Sequence, residues 1–167
     1  DNRTKDMSVD MAAQNPMKLW GDNTLTFDDC LVARSSKQAA RSYPVGKVVG
    51  GGSAINGMGA IRGHPDDFDQ EWAKITSDDS WGWKNMLGAY KKLEYDPLYN
   101  DPKYTNFHGN NKDMIPIHRI EVNDWGPVAK AMKSGCMDTL GWEFTLDLNH
   151  PDSTGVSPFP MNMKKCD

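Results

Sequence analysis

Gly46-Lys47-Val48-Val49-Gly50-Gly51-Gly52-Ser53-Ala54-Ile55-Asn56 is the stretch that decides how this chain reads. A short apolar approach, Tyr43 to Val49, runs into three adjacent glycines and then into a segment that can be helical. Glycines lack Cβ atoms, so they accept strained backbone angles and let a ligand come close to the main chain. The first N–H groups of a following helix have no intrahelical partner, and the helix dipole favours negative charge there. An anion such as pyrophosphate suits such a site, as does a carbonyl-rich ring edge. Ser53 is placed to cap a helix from Ser53 to Ile61, and Asn56 offers a donor and an acceptor one turn on.

Two familiar alternatives fail on particular residues. The dinucleotide fingerprint G-x-G-x-x-G requires a third glycine where Ile55 stands. The acid it expects about 20 residues on would be Asp69 or Glu71, which lie in a helix-like stretch and not at a strand end. Ser53 departs from the nucleophile elbow G-x-S-x-G at the same Ile55. A bare triple glycine also serves as a tightly packed turn, so the surrounding sequence has to decide.

Outward from the glycines, Gly63-His64-Pro65 breaks the first helix, and Pro65 suits the start of a second. Phe68, Trp72 and Ile75 recur at helical spacing there. Asp66, Asp67, Asp69 and Glu71 read as a solvated, dipole-favoured first turn and not as a metal cluster. Trp83, Met86, Leu87, Tyr90 and Leu93 make one face of the next helix. Residues 95–112 read as loop, and Met114 to Ile120 as a strand with Pro116 at an edge or bend. Asn123-Asp124 caps a helix to Leu140 with Val128, Met132 and Cys136 on one face, and Gly141 stops it. Phe144 to Leu148 reads as a short strand. Upstream, residues 1–45 read mostly as loop, with an apolar knot at Met17 to Gly21 and a short strand within Leu25 to Val32.

Composition narrows the function classes. The formal charge of −4 gives no basic surface for nucleic acid. No apolar run is long enough to span a membrane, and the first residues lack a signal-peptide core. Cys30, Cys136 and Cys166 are far apart and odd in number, which indicates neither a zinc site nor a disulfide framework. The sequon Asn2-Arg3-Thr4 does not fix a compartment, and localisation stays open. Trp81, Trp83, Trp125 and Trp142 are more simply explained by packing than by ligand stacking. So much irregular chain is unusual in a compact domain, and it suggests a piece of something larger.

The glycine stretch, followed by Ala60, Gly63 and Asp69, resembles the first signature of the glucose–methanol–choline (GMC) oxidoreductases. Arg62 to Asp69 resembles that family's RGxxxDYD stretch, and Trp81-Gly82-Trp83 through Glu94 its GWxWxxxLxYFKKxE helix. Phe107-His108-Gly109 and Asp147-Leu148-Asn149 with Gly155-Val156 are similar to two later motifs, in family order. The resemblance implies a mixed α/β fold, with residues 1–63 in the FAD-binding domain, 64–112 bridging, and 113–167 in the substrate domain. It implies FAD contacts from Val48, Gly51, Gly52 and Ser53, and contacts near the isoalloxazine ring from Asn56, Gly57, Met58 and Gly59. No His stands beside Asn56, so non-covalent FAD is expected.

The implied activity is oxidation of a small-molecule alcohol by hydride transfer to flavin. Flanking polypeptide chains would supply the G-x-G-x-x-G segment and the C-terminal catalytic His, because general-base work needs such a group beside the substrate. His64, His108, His118 and His150 match no such motif and read as surface or turn residues. No catalytic residue and no metal ligand is assigned within the chain. Two other readings share the scaffold: a non-catalytic structural or assembly subunit, and an FAD-containing lyase.

Overall fold

The computed structural model describes residues 25–27, 31–33 and 35–164. The apolar knot at Met17 to Gly21, the sequon, Cys30 and Cys166 lie outside the described residues. The chain divides into two compact units between Met58 and Gly59.

The first unit is built from two antiparallel ribbons. β1 (Thr26–Phe27) pairs with β4 (Val45–Gly46), in the register Thr26 to Gly46 and Phe27 to Val45. β2 (Leu31–Val32) pairs with β3 (Arg41–Ser42). The strand expected within Leu25 to Val32 is therefore two short strands with different partners. The Lys47 N–H extends the first ribbon by donating to the Leu25 carbonyl at 2.8 Å. Among the described residues of this unit, Leu25, Thr26 and Ile55 are buried.

The second unit begins with a π-helical segment, Asp67–Trp72, that runs into α1 (Ala73–Thr76). The Ala73 N–H reaches back five residues to the Phe68 carbonyl, the bond that defines the wider turn. Ser77 ends α1 in the left-handed conformation. Asp78 caps a 3-10 turn, Asp79–Trp81, by accepting from the Ser80 N–H at 2.9 Å. α2 (Trp83–Leu93) follows. Phe68 packs between Trp83 and Tyr90, with ring centroids 5.9 and 6.2 Å away. That trio carries the face expected of α2, although Leu93, its last residue, stays exposed. The acids of the preceding turn are exposed as expected, and Asp69 accepts from the Trp83 N–H.

β5 (Glu94–Tyr95) pairs in parallel with β6 (Ile115–Pro116), and β7 (His118–Arg119) pairs antiparallel with β8 (Pro160–Met161). The single strand expected over Met114 to Ile120 is thus two. Ile117 divides them, buried and hydrogen-bonded to the Tyr95 carbonyl. α3 (Pro127–Leu140) starts on its proline and stops at Gly141, whose φ of 68° a side chain would strain. Its expected apolar face is largely open: Val128 and Met132 are exposed, and Met132 with Cys136 lines a cleft of about 540 Å³. Trp125 and Trp142 line the same cleft.

Two expected elements do not form. Phe144 to Leu148 makes only a bridge from Phe144 to Val156. Asp147 turns inward, and its carboxylate accepts the Asn149 N–H at 3.0 Å, which closes a side-chain turn where a strand would have to continue. The helix expected from Ser53 to Ile61 is replaced by a 3-10 turn, Gly51–Ala54. Gly50 and Gly51 have φ of 96° and 53°, and Met58 follows at 55°, so the backbone leaves helical space on both sides.

Candidate functional site

The glycine loop is held by short-range bonds that leave its outer face bare. Gly51 N–H donates to the Val48 carbonyl at 2.9 Å, and Ser53 N–H to the Gly50 carbonyl at 3.1 Å. Ser53 is not a helix N-cap; its hydroxyl donates back to Gly50 at 2.7 Å and tightens the turn. Gly46 must be glycine, because a Cβ there would overlap the Gly51 carbonyl. Gly51, Gly52 and Gly57 are different: a Cβ on any of them would meet nothing within 4 Å among the described residues. Ile55, the residue that breaks the dinucleotide fingerprint, is buried and anchors the loop.

Asn56 accepts the Met58 N–H at 2.9 Å through its side-chain oxygen. This local turn holds Met58 at its positive φ. Val48, Gly51, Gly52, Ser53, Asn56, Gly57 and Met58 therefore share one turn system in the first unit, with Val48, Gly51 and Met58 half-buried and the others exposed. Gly59 falls in the second unit, where it bridges to Met161.

A second constellation was not foreseen from sequence. His108, assigned above to the surface or a turn, is among the most buried side chains, with Asp96 and Asp147. His150 packs its ring on Phe107, His118 is half-buried, and only His64 is exposed. His108 Nε2 lies 2.8 Å from Asp147 Oδ2, and Nδ1 lies 2.9 Å from Glu94 Oε1 and 3.1 Å from Asp96 Oδ2. Arg62 pairs with Glu94 and also donates to the Phe107 carbonyl at 2.8 Å. Arg119 forks between Asp96, at 2.9 Å, and Asp147, at 3.0 Å.

Geometry fixes the charge of the ring. A neutral imidazole has one donor and one acceptor nitrogen, yet both nitrogens here face carboxylate oxygens. As an imidazolium, His108 joins two guanidiniums to balance three carboxylates. Burial works against that charge, but the bonds from Asp147 and Glu94 and the field of Asp96 outweigh it, so the His108 pKa is raised. Burial likewise disfavours the Asp147 carboxylate, yet His108, Arg119 and the Asn149 N–H hold its pKa below the usual value.

Glu94, Asp96 and His108 offer ligand atoms within 4.8 Å of one another, as a metal site would. The two arginines already neutralise these acids, so the cluster is a salt network and not a cation site. Gly109, next to His108, admits no Cβ because the Lys91 and Glu94 carbonyls pack against it.

Over residues 25–166 the chain matches the GMC oxidoreductase family. This chain belongs to that family. The GMC chain is 37% identical over 122 residues to the 5-(hydroxymethyl)furfural oxidase of Methylovorus, covering 73% of itself and 22% of that protein. It is 29% identical over 140 residues to the ecdysone oxidase of Spodoptera littoralis, covering 82% of itself and 22% of that protein. Among solved structures it resembles pyridoxine 4-oxidase from Mesorbium loti, with a TM-score of 0.76, 27% identity, and coverage of 95% of this chain and 30% of that one. The chain thus spans under a third of the relatives it matches. Its mixed α/β fold is that of part of a GMC oxidoreductase. Membership implies FAD as the cofactor.

Proposed function

We propose that this chain is the flavin-facing segment of an FAD-dependent alcohol oxidase or dehydrogenase, acting on a CH–OH donor within a larger assembly. The observation that carries the reading is the bare backbone at Gly51, Gly52 and Gly57, where an added Cβ would meet none of the described residues within 4 Å. A cofactor can lie directly on such a surface. Bound FAD would supply the hydride acceptor. Val48, Gly51, Gly52 and Ser53 line the loop against it, and Asn56, Gly57, Met58 and Gly59 carry the contact toward the ring. The Met58 turn is pinned by the Asn56 side chain.

No residue of the chain is assigned as the base that takes the alcohol proton. That group and the G-x-G-x-x-G segment come from flanking polypeptide. The FAD is held non-covalently, since no His neighbours Asn56. The tripartite division at residues 63 and 112 belongs to the same proposal. The test is the visible spectrum of the whole protein carrying this segment. One FAD per polypeptide, released by acid and bleached anaerobically by an alcohol, supports the reading. Bound flavin that no alcohol bleaches favours a lyase, and absence of flavin favours a structural subunit.

A further inference from the structure

The segment that follows the proposed ring contacts is gripped on two sides. Ala60 N–H donates to the Pro160 carbonyl at 3.0 Å on one side. On the other, one side chain takes both backbone groups. Asn149 Oδ1 accepts the Arg62 N–H at 3.0 Å, and Asn149 Nδ2 donates to the Ala60 carbonyl at 2.9 Å. The two backbone groups fix which way the amide points. Asn149 is buried and is itself placed by Asp147, whose carboxylate binds Arg119 and His108. The Arg62 side chain returns to Glu94, within the same ring of charges.

We propose that Asn149, oriented by the His108 ion network, is a positioning residue that sets the geometry of Gly59 to Arg62 and with it the flavin contact of Gly59. The inference rests on the flavin reading above. The groups facing His108 are Glu94 on β5, Asp96 after it, Asp147 on the loop after α3, and Arg62 at 3.4 Å from Nδ1. Arg119 on β7 completes the ring through Asp96 and Asp147. Asn149 touches neither substrate nor the reacting atoms in this scheme; it acts only through the backbone it holds.

The test uses the whole flavoprotein with Asn149→Leu, which keeps the branched shape and removes both bonds. Trp81→Leu serves as a control, since it breaks the Trp72–Trp81 ring pair, which touches no member of the network. Asn149→Leu is expected to raise the FAD dissociation constant at least tenfold and to shift the flavin absorption envelope. Amide exchange over residues 59–62 rises with it. Trp81→Leu, at comparable thermal destabilisation, leaves all three readouts as in the native protein. If Asn149→Leu fails to fold, Asn149→Asp keeps the acceptor for Arg62 and loses the donor to Ala60, and is expected to give the same changes at smaller amplitude. A folded Asn149 variant with native flavin affinity, spectrum and exchange overturns the inference. A native protein that carries no flavin overturns the functional reading instead, and exchange over 59–62 still reports on Asn149.

Discussion

Replacing His108 by leucine removes one cation from a buried ring of three cations and three carboxylates. Asp147 and Asp96 are fully buried, so the unbalanced negative charge has no route to water. Removing one partner of a buried ion network costs roughly 3–5 kcal/mol. With an m-value of about 3 kcal/mol per M, the urea midpoint of the whole protein falls by roughly 1–1.7 M. His64→Leu, at an exposed ring, leaves the midpoint in place. The pH dependence adds a second signature. The His108 pKa is raised on folding, so its stabilisation is complete below the ordinary value near 6.5 and is lost as pH climbs through the folded value. The gap between native and variant proteins therefore narrows on the alkaline side. A midpoint shift below about 0.3 M, the scale of an exposed ion pair, would refute the account of a closed charge ring. So would a gap that is unchanged from pH 6 through strongly alkaline conditions.

Other outcomes follow from the same geometry. The Asp147 pKa is depressed, so its contribution is present above the ordinary carboxylate value and disappears as pH falls through the folded one; Asp147→Asn should flatten the acid limb of the unfolding midpoint against pH. Gly109→Ala forces a methyl into the Lys91 and Glu94 carbonyls and should cost about 3 kcal/mol, read by urea unfolding, because backbone must move. Gly57→Ala, with open space at its Cβ, should change the unfolding midpoint far less than Gly109→Ala does.

The glycine loop was legible because its constraint is local. Consecutive glycines announce positive φ, and Gly50 and Gly51 adopt it. The same locality misled about what comes next. Ser53 has the chemistry of an N-cap, but the turn it enters closes after four residues because Ile55, at φ −125°, leaves helical space and Met58 follows at positive φ. α2 and α3 were readable from periodicity and from Gly141, but the cap expected at Asn123-Asp124 is a separate 3-10 turn, Val122–Asp124, and α3 starts only at Pro127. The His108 network was not. Its members come from Arg62 to Asn149, and Asn149 meets Arg62 across 87 residues of sequence. No periodicity records such a meeting, and an isolated His carries no sign of the three acids around it. Asp147 shows the cost most plainly: alternation in Phe144 to Leu148 suggests a strand, while the need to reach His108 and Arg119 breaks it.

The central claim is that the bare glycine surface lies on FAD, and Gly52→Val tests it most directly. A Cβ at Gly52 meets nothing within 4 Å among the described residues, so the substitution fits them and fills the space assigned to the cofactor. Flavin titration of the whole protein should show native unfolding behaviour with at least a tenfold loss of FAD affinity, or about 1.4 kcal/mol. A folded Gly52→Val protein that binds FAD as tightly as the native one would contradict the account.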